Sequence, residues 1–252
     1  MLILVTNDDG LLAPGLRALH DAASRFGEVY VVAPEGERSG SSHAITLCEP
    51  LRVREFGPRW WGLSGTPTDC VFIAINHLLQ RRPDLVLSGI NRGPNLGGDV
   101  LYSGTVGGAM EATVQHIPAI AFSLVSATDD YPFSHAQPHV AHVLERVMRH
   151  GIPDGVMLNV NIPAPSLAPF RGYRVTRLGR RIYSNDVIVR TDPRGASYLW
   201  IGGTRVTMDM SPQTDSGAVH EGFVSITPLR PDLMAHEVLG KFTAFEEEDT
   251  CL

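Results

Sequence analysis

Four short, almost wholly apolar runs set the terms for this chain: LILVT at residues 2–6, EVYVVAP at 28–34, DLVLSGI at 84–90 and PAIAFSLV at 118–125. Each has the length of a strand, and each is apolar at successive positions, as a strand covered on both faces requires. Helix-like segments fall between them. Pro14 to Phe26 places Leu16, Leu19, Ala22, Ala23 and Phe26 on one face, with Pro14 near its start and Gly27 just after it. Thr66-Pro67-Thr68-Asp69 offers a threonine cap, a proline and a first-turn acid, and CVFIAINHLL continues it. GTVGGAMEATVQH reads as a third helix. Strands alternating with helices predict an α/β fold: a Rossmann-like, mostly parallel sheet with helices on both faces.

AITL and LRVREF read as a β-excursion between the second and third core strands. Beyond about Val125 the pattern loosens. A helix is expected over Val140–Arg149, strands at VMLNVNI and FVSITPL, and a long hairpin from Tyr173 to Thr207. The tail EEED reads as solvated. The division expected is a Rossmann-like core over residues 1–130 and a C-terminal part, 131–252, that completes the sheet and carries the hairpin.

Bulk properties remove several classes. The formal charge is −6, so there is no basic footprint for nucleic acid. No apolar stretch approaches the ~20 residues of a membrane span, and the N-terminal run lacks the basic leader of a signal peptide. Cys48, Cys70 and Cys251 are scattered, which reads as reduced cysteines in a cytoplasmic protein. Lys241 is the one lysine. A Walker loop and a Schiff-base enzyme both need a lysine in a context that Lys241 lacks. GxGxxG does not follow the first strand, and no GxSxG elbow occurs. A dehalogenase-type phosphatase spaces its carboxylates as DxD; here Asp8 and Asp9 are adjacent.

The chemistry gathers at strand ends. The first strand runs into Asn7-Asp8-Asp9-Gly10, the second is followed by Arg38-Ser39-Gly40-Ser41, and the third ends in Asn91, then Gly93-Pro94-Asn95. In a parallel sheet these loops share one edge. Two adjacent carboxylates repel, and burial makes both harder to ionise. A divalent cation reverses both penalties, and carboxylate, hydroxyl and amide oxygens suit Mg²⁺ or Mn²⁺. The plainer alternative is that the two aspartates close an Asx turn and cap the next helix. Tyr102-Ser103-Gly104-Thr105-Val106 opens a helix, whose free N–H groups and dipole attract anions; a plain Ser/Thr cap is the competing reading. His43 follows the Ser39 loop and could approach a substrate; a structural or exposed histidine is the commoner alternative. His220 and His236 fall in the C-terminal region, where subunit contact is an equal alternative. Trp60-Trp61 offers a stacking surface for a nucleobase or a core contact.

NDDG, VVAPEGERSGSSHAITL, GTPTDCV, SGINRGPNLGGDVLYSGTVGGAMEA and GFVSITPL together resemble the SurE family of 5'/3'-nucleotidases, in the same order along nearly the whole chain. The resemblance implies a metal-dependent phosphatase acting on nucleoside 5'- and 3'-monophosphates, with exopolyphosphatase activity in relatives. It implies one Mg²⁺ or Mn²⁺ per subunit on Asp8, Asp9, Ser39 and Asn91. Asp8 and Asp9 are then the catalytic pair, and Gly40, Asn95, Ser103, Gly104 and Thr105 the phosphate contacts. It further implies a homodimer or homotetramer with exchanged C-terminal segments. TMDMSPQTDSGAVHEG is the stretch where fewest residues match.

Overall fold

The computed structural model describes residues 1–183, 187–201 and 206–246. In chain order its first elements are β1 (Leu2–Thr6), α1 (Pro14–Ala23), β2 (Glu28–Pro34), β3 (Val53–Gly57), β4 (Trp60–Leu63) and α2 (Pro67–Ile73). Next come β5 (Leu85–Arg92), α3 (Gly104–Val114), β6 (Ala119–Val125), α4 (Phe133–His150) and β7 (Met157–Pro163). The C-terminal part adds β8 (Gly172–Val175), β9 (Arg181–Tyr183), β10 (Val187–Thr191), β11 (Ser197–Ile201), β12 (Val206–Met208), α5 (Asp215–His220) and β13 (Phe223–Leu229).

Nine strands form one sheet in the order β3-β4-β2-β1-β5-β6-β7-β13-β8. β4, β2, β1, β5, β6 and β7 are all parallel; β3 and β13 pair antiparallel to their inner neighbours. The expected mostly parallel α/β sheet is therefore present. The alternation of side chains across a strand explains the unbroken apolar runs. Ile3 and Val5 belong to a core under α1 and α4, while Leu2 and Leu4 belong to a second core under α2 and α3. The central strands thus feed two cores.

The glycines of α3 have a packing reason. A Cβ on Gly108 would lie 3.0 Å from Thr6 Cγ2 and 3.1 Å from Ser88 Oγ, so the helix rests directly on β1 and β5. A Cβ on Gly15 would lie 2.0 Å from the Ile90 carbonyl oxygen, which brings α1 equally close to β5. α2 carries the expected capping box, with Thr66 accepting from the Asp69 N–H and Asp69 accepting from the Thr66 N–H.

Several expectations need correction. AITL is not a strand. It is held as irregular chain, with the Thr46 N–H and hydroxyl donating to Asp69 at 2.8 and 2.7 Å. The excursion instead pairs β3 with β4, whose WWGL was not read as a strand. Trp61 stacks on Tyr30 and Trp60 packs edge-on against His20, so neither faces the carboxyl edge of the sheet. α1 stops at Ala23, although Phe26 still packs on the core. α4 starts at Phe133, seven residues before the expected Val140. Of the tract Tyr173–Thr207, Tyr173 to Val175 joins the main sheet; the hairpin proper starts at Arg181, with β9 pairing β12 and β10 pairing β11. Of the tail, residues 247–252, including Cys251, lie outside the described residues.

Candidate functional site

The chain leaves β1 outward to β2 and β4, then returns to β5 on the other side of β1. The loops after β1 and β5 diverge there, which opens a crevice at the carboxyl edge, where ligands of such sheets gather. Asp8, Asp9 and Asn91 lie at its mouth.

Asn7, not either aspartate, closes the turn: its Nδ2 donates to the Gly10 carbonyl at 2.9 Å. Gly10 takes φ +100° to complete it. α1 is preceded by Ala13, with no side-chain cap. The turn-and-cap alternative for Asp8 and Asp9 is therefore excluded. The Asp8 carboxylate is buried and turns to the start of α3, where Oδ1 accepts from the Thr105 hydroxyl. Asp9 Oδ2 accepts from the Arg92 N–H at 3.0 Å, which leaves Oδ1 for another partner. Both groups are pushed up from the ordinary carboxylate range, chiefly by burial. Asp8 reaches about 6, with the charge of Asp9 adding to the effect; Asp9 is raised further by Glu37.

The Ser39 loop is pinned to the same edge. The Arg38 N–H donates to the Asp8 carbonyl at 2.7 Å, and the Ser42 N–H and hydroxyl donate to Tyr102 and Leu101 at 3.0 and 2.6 Å. Ser39 is exposed and donates to Glu37 Oε1 at 2.9 Å. Gly40 adopts φ +74° beside it. Asn91 donates through Nδ2 to the Gly93 carbonyl at 3.0 Å, so its amide oxygen is the end available to a ligand. Among the described residues no group of three or more His, Cys, Asp or Glu is placed to hold a metal. A cation here must use the mixed set of carboxylate, hydroxyl and amide oxygens. That donor chemistry fits a hard divalent ion.

At the anion end, Ser103 caps α3 by accepting from the Val106 N–H at 3.0 Å, and its own hydroxyl proton stays available. Gly104 admits no side chain: a Cβ would lie 2.5 Å from Ser41 Oγ and 3.0 Å from Asp8 Oδ2. Thr105 is fully buried, and its hydroxyl proton goes to Asp8 and not to an outside anion. Asn95 is buried in an asparagine network. Its N–H donates to Asn161 at 2.9 Å, its Nδ2 to Ser123 at 2.8 Å, and its carbonyl accepts from Asn159 and Asn161. One of the two N–H donors of its amide is thus already engaged.

His43 Nε2 lies 2.8 Å from Glu111 Oε2, seven residues along α3 from Gly104 and about two turns from the carboxylates. Glu111 was not singled out from the sequence. Its spacing to Gln115, which donates to Oε1 at 2.7 Å, is the i,i+4 signal that could have found it. His220 bonds the Ser216 carbonyl, and His236 bonds Asp232 at 2.7 Å; both contacts are local.

Burial of Asp8 has a consequence for stability. Its folded pKa lies above the unfolded value, so the folded state holds the proton more tightly. The stabilisation is full below about pH 4 and is lost as pH rises through about 6. The loss is at most ~3 kcal/mol. In chelator, urea unfolding from pH 4 to 7.5 should show falling stability, and Asp8→Asn should flatten the slope. An equal slope in the variant would remove Asp8 as its source.

The family described as "Survival protein SurE" matches residues 3–185. A protein of Syntrophotalea carbinolica named 5'-nucleotidase SurE is 48% identical over 234 residues, 92% of each chain. One from an Anaeromyxobacter strain with the same name is 49% identical and covers 95% of this chain and 93% of its own. The chain belongs to the SurE family. The likeness is also three-dimensional: the crystal structure of the SurE protein from Aquifex aeolicus superposes with a TM-score of 0.85 at 38% identity, covering 98% of this chain and all of that one. The SurE match thus takes in the NDDG turn, the Ser39 loop and the start of α3.

Proposed function

We propose that this chain is a divalent-metal-dependent phosphatase that hydrolyses nucleoside 5'- and 3'-monophosphates to nucleoside and phosphate, with polyphosphate ends as further substrates. The observation that carries it is the buried Asp8 carboxylate seated against the start of α3, with Asp9 beside it. A cation site and an anion site thereby share one wall. The names of the relatives, 5'-nucleotidase SurE, support the same reading. Asp8, Asp9, Ser39 and Asn91 would hold one Mg²⁺ or Mn²⁺ per subunit. When bound, that ion would neutralise the paired carboxylates and act as a Lewis acid toward a phosphoryl oxygen.

The protein's own groups do the rest. Asp8, held at Oδ1 by Thr105, is the base for the attacking water, and Oδ2 takes the proton. Ser103 and the Gly104 N–H at the α3 start receive the phosphoryl oxygens. The positive φ of Gly40 keeps the Ser39 loop turned in beside them. Asn95 joins the phosphate contacts by exchanging Ser123 for a ligand oxygen. The core that carries this site is residues 1–130, and 131–252 complete the sheet. The test is phosphate release across 5'- and 3'-nucleotides and polyphosphate, with Mg²⁺, Mn²⁺ or EDTA. Release that EDTA leaves untouched would refute the metal requirement, and no release from any nucleotide would refute the function.

We place the enzyme in the cytoplasm, where Cys48 and Cys70 stay unpaired thiols and nucleoside monophosphates are at hand. No described helix is long and apolar enough to cross a membrane, and no stable nucleic-acid partner is proposed. The assembly proposed is a homodimer or homotetramer with C-terminal exchange. Its support is the β10–β11 hairpin, which leaves Val187, Val189, Leu199 and Ile201 exposed on one face and Ile188 and Trp200 on the other. A two-stranded ribbon is marginal alone, and such a patch marks an interface. The double substitution Leu199→Asp with Ile201→Asp should lower the mass seen by light scattering. An unchanged mass would remove the hairpin from the interface.

A further inference from the structure

Within the Ser39 loop one hydroxyl has no internal partner. Ser41 Oγ is shut off from solvent and forms no hydrogen bond, although buried hydroxyls are nearly always paired. Its backbone is held on both sides. The Ser41 N–H donates to Arg38 at 3.2 Å, Arg38 is tied to the Asp8 carbonyl, and Ser42 is tied to Leu101 and Tyr102. The hydroxyl lies 2.5 Å from the point where a Cβ on Gly104 would stand, and Asp8 Oδ2 lies 3.0 Å from the same point. In a helix the Cβ bond tilts toward the N-terminus. The point therefore sits toward the open end of α3, with Ser41 Oγ and the Asp8 side chain against it.

We propose that Ser41 is a further substrate-binding residue, its hydroxyl donating to a phosphoryl oxygen at the start of α3. The proposal rests on the phosphatase reading. It explains why this hydroxyl is left unpaired in a loop where the Ser39 and Ser42 hydroxyls are bonded: its partner arrives with the substrate. The backbone of Ser41 is already held, so a turn of its side chain is what brings the shut-off hydroxyl to the phosphoryl group.

The test compares wild type with Ser41→Ala and Ser41→Thr. Two readouts are used: calorimetric binding of inorganic phosphate, and KM and kcat for a nucleoside monophosphate, all with Mn²⁺ present. Ser41→Ala should weaken phosphate binding and raise KM roughly tenfold, the ordinary effect of losing one hydrogen bond to a charged group. Ser41→Thr should restore most of both. Its melting temperature should match wild type, because the hydroxyl holds nothing in the ligand-free fold. Phosphate binding by Ser41→Ala equal to wild type overturns the proposal, as does a threonine variant no better than alanine. A wild type that releases no phosphate from nucleotides, yet binds phosphate better than Ser41→Ala, overturns the phosphatase reading and keeps Ser41. A wild type that binds no phosphate overturns both.

Discussion

Asp8→Asn should lower nucleotide hydrolysis by at least about 10²–10³-fold at saturating Mn²⁺, equivalent to roughly 3–4 kcal/mol of transition-state stabilisation. Asparagine has nearly the shape of aspartate and can still accept from Thr105 through Oδ1, so the wall between β1 and α3 keeps its geometry. It cannot take a proton from water, and it supplies less charge to a cation. The variant should meanwhile be as stable as wild type or more so above pH 6, because the ionised carboxylate it removes is buried at a cost. Activity and stability moving in opposite directions marks a functional group, not a structural one. Near wild-type turnover would remove Asp8 from the chemistry. Acid quench of a turnover with ³²P-labelled nucleotide separates the two routes open to Asp8. No ³²P on the protein means direct attack by water; ³²P held on the protein and released by hydroxylamine means a covalent aspartyl-phosphate.

Gly104→Ala is expected to have the second largest effect, and for a steric reason. Alanine is favoured over glycine inside a helix by up to ~1 kcal/mol. Propensity alone would predict a neutral or stabilising change. The added methyl would stand 2.5 Å from Ser41 Oγ and 2.9 Å from Asp8 Cβ, both closer than contact distance. Asp8 cannot yield freely: it is buried and tied to Thr105, and its carbonyl accepts from Arg38. The start of α3, the Ser41 loop and the carboxylate must move apart. A misplacement of about 1 Å costs roughly 10²-fold in rate, and a loss of that size in kcat/KM is expected with cooperative unfolding retained. The check is steady-state kinetics beside a urea transition. Activity within threefold of wild type would mean that the anion cradle does not lie at Gly104.

The two substitutions probe different levels of information. Asp8 could be chosen from the sequence, because adjacent carboxylates after an apolar strand need a partner that removes their repulsion. Gly104 could be placed at a helix start from SGTV, yet nothing local says what its missing side chain makes room for. Ser41 was not legible, and Glu111 left only its i,i+4 spacing to Gln115 as a trace. One is a serine in a loop rich in serine, the other an acid on a helix, and each acquires its meaning from a residue more than 60 positions away.

Local patterns determined the strands, the helices and the edge where the loops collect. Apolar runs, capping residues and glycine punctuation act over a few residues, so β1, β2, β5 and β6 and the Thr66 capping box were readable in advance. The β4 strand was not, because its neighbours are chosen by the sheet and not by the tetrapeptide WWGL. Tertiary structure alone decided that Asn7 closes the turn and frees both aspartates, that Thr105 serves Asp8, and that the Asn95 amide gives one N–H to Ser123. Hydrogen bonds are short-ranged and directional. Which donor meets which acceptor depends on backbone positions set to within an ångström by two packed cores, and a linear pattern does not carry that precision.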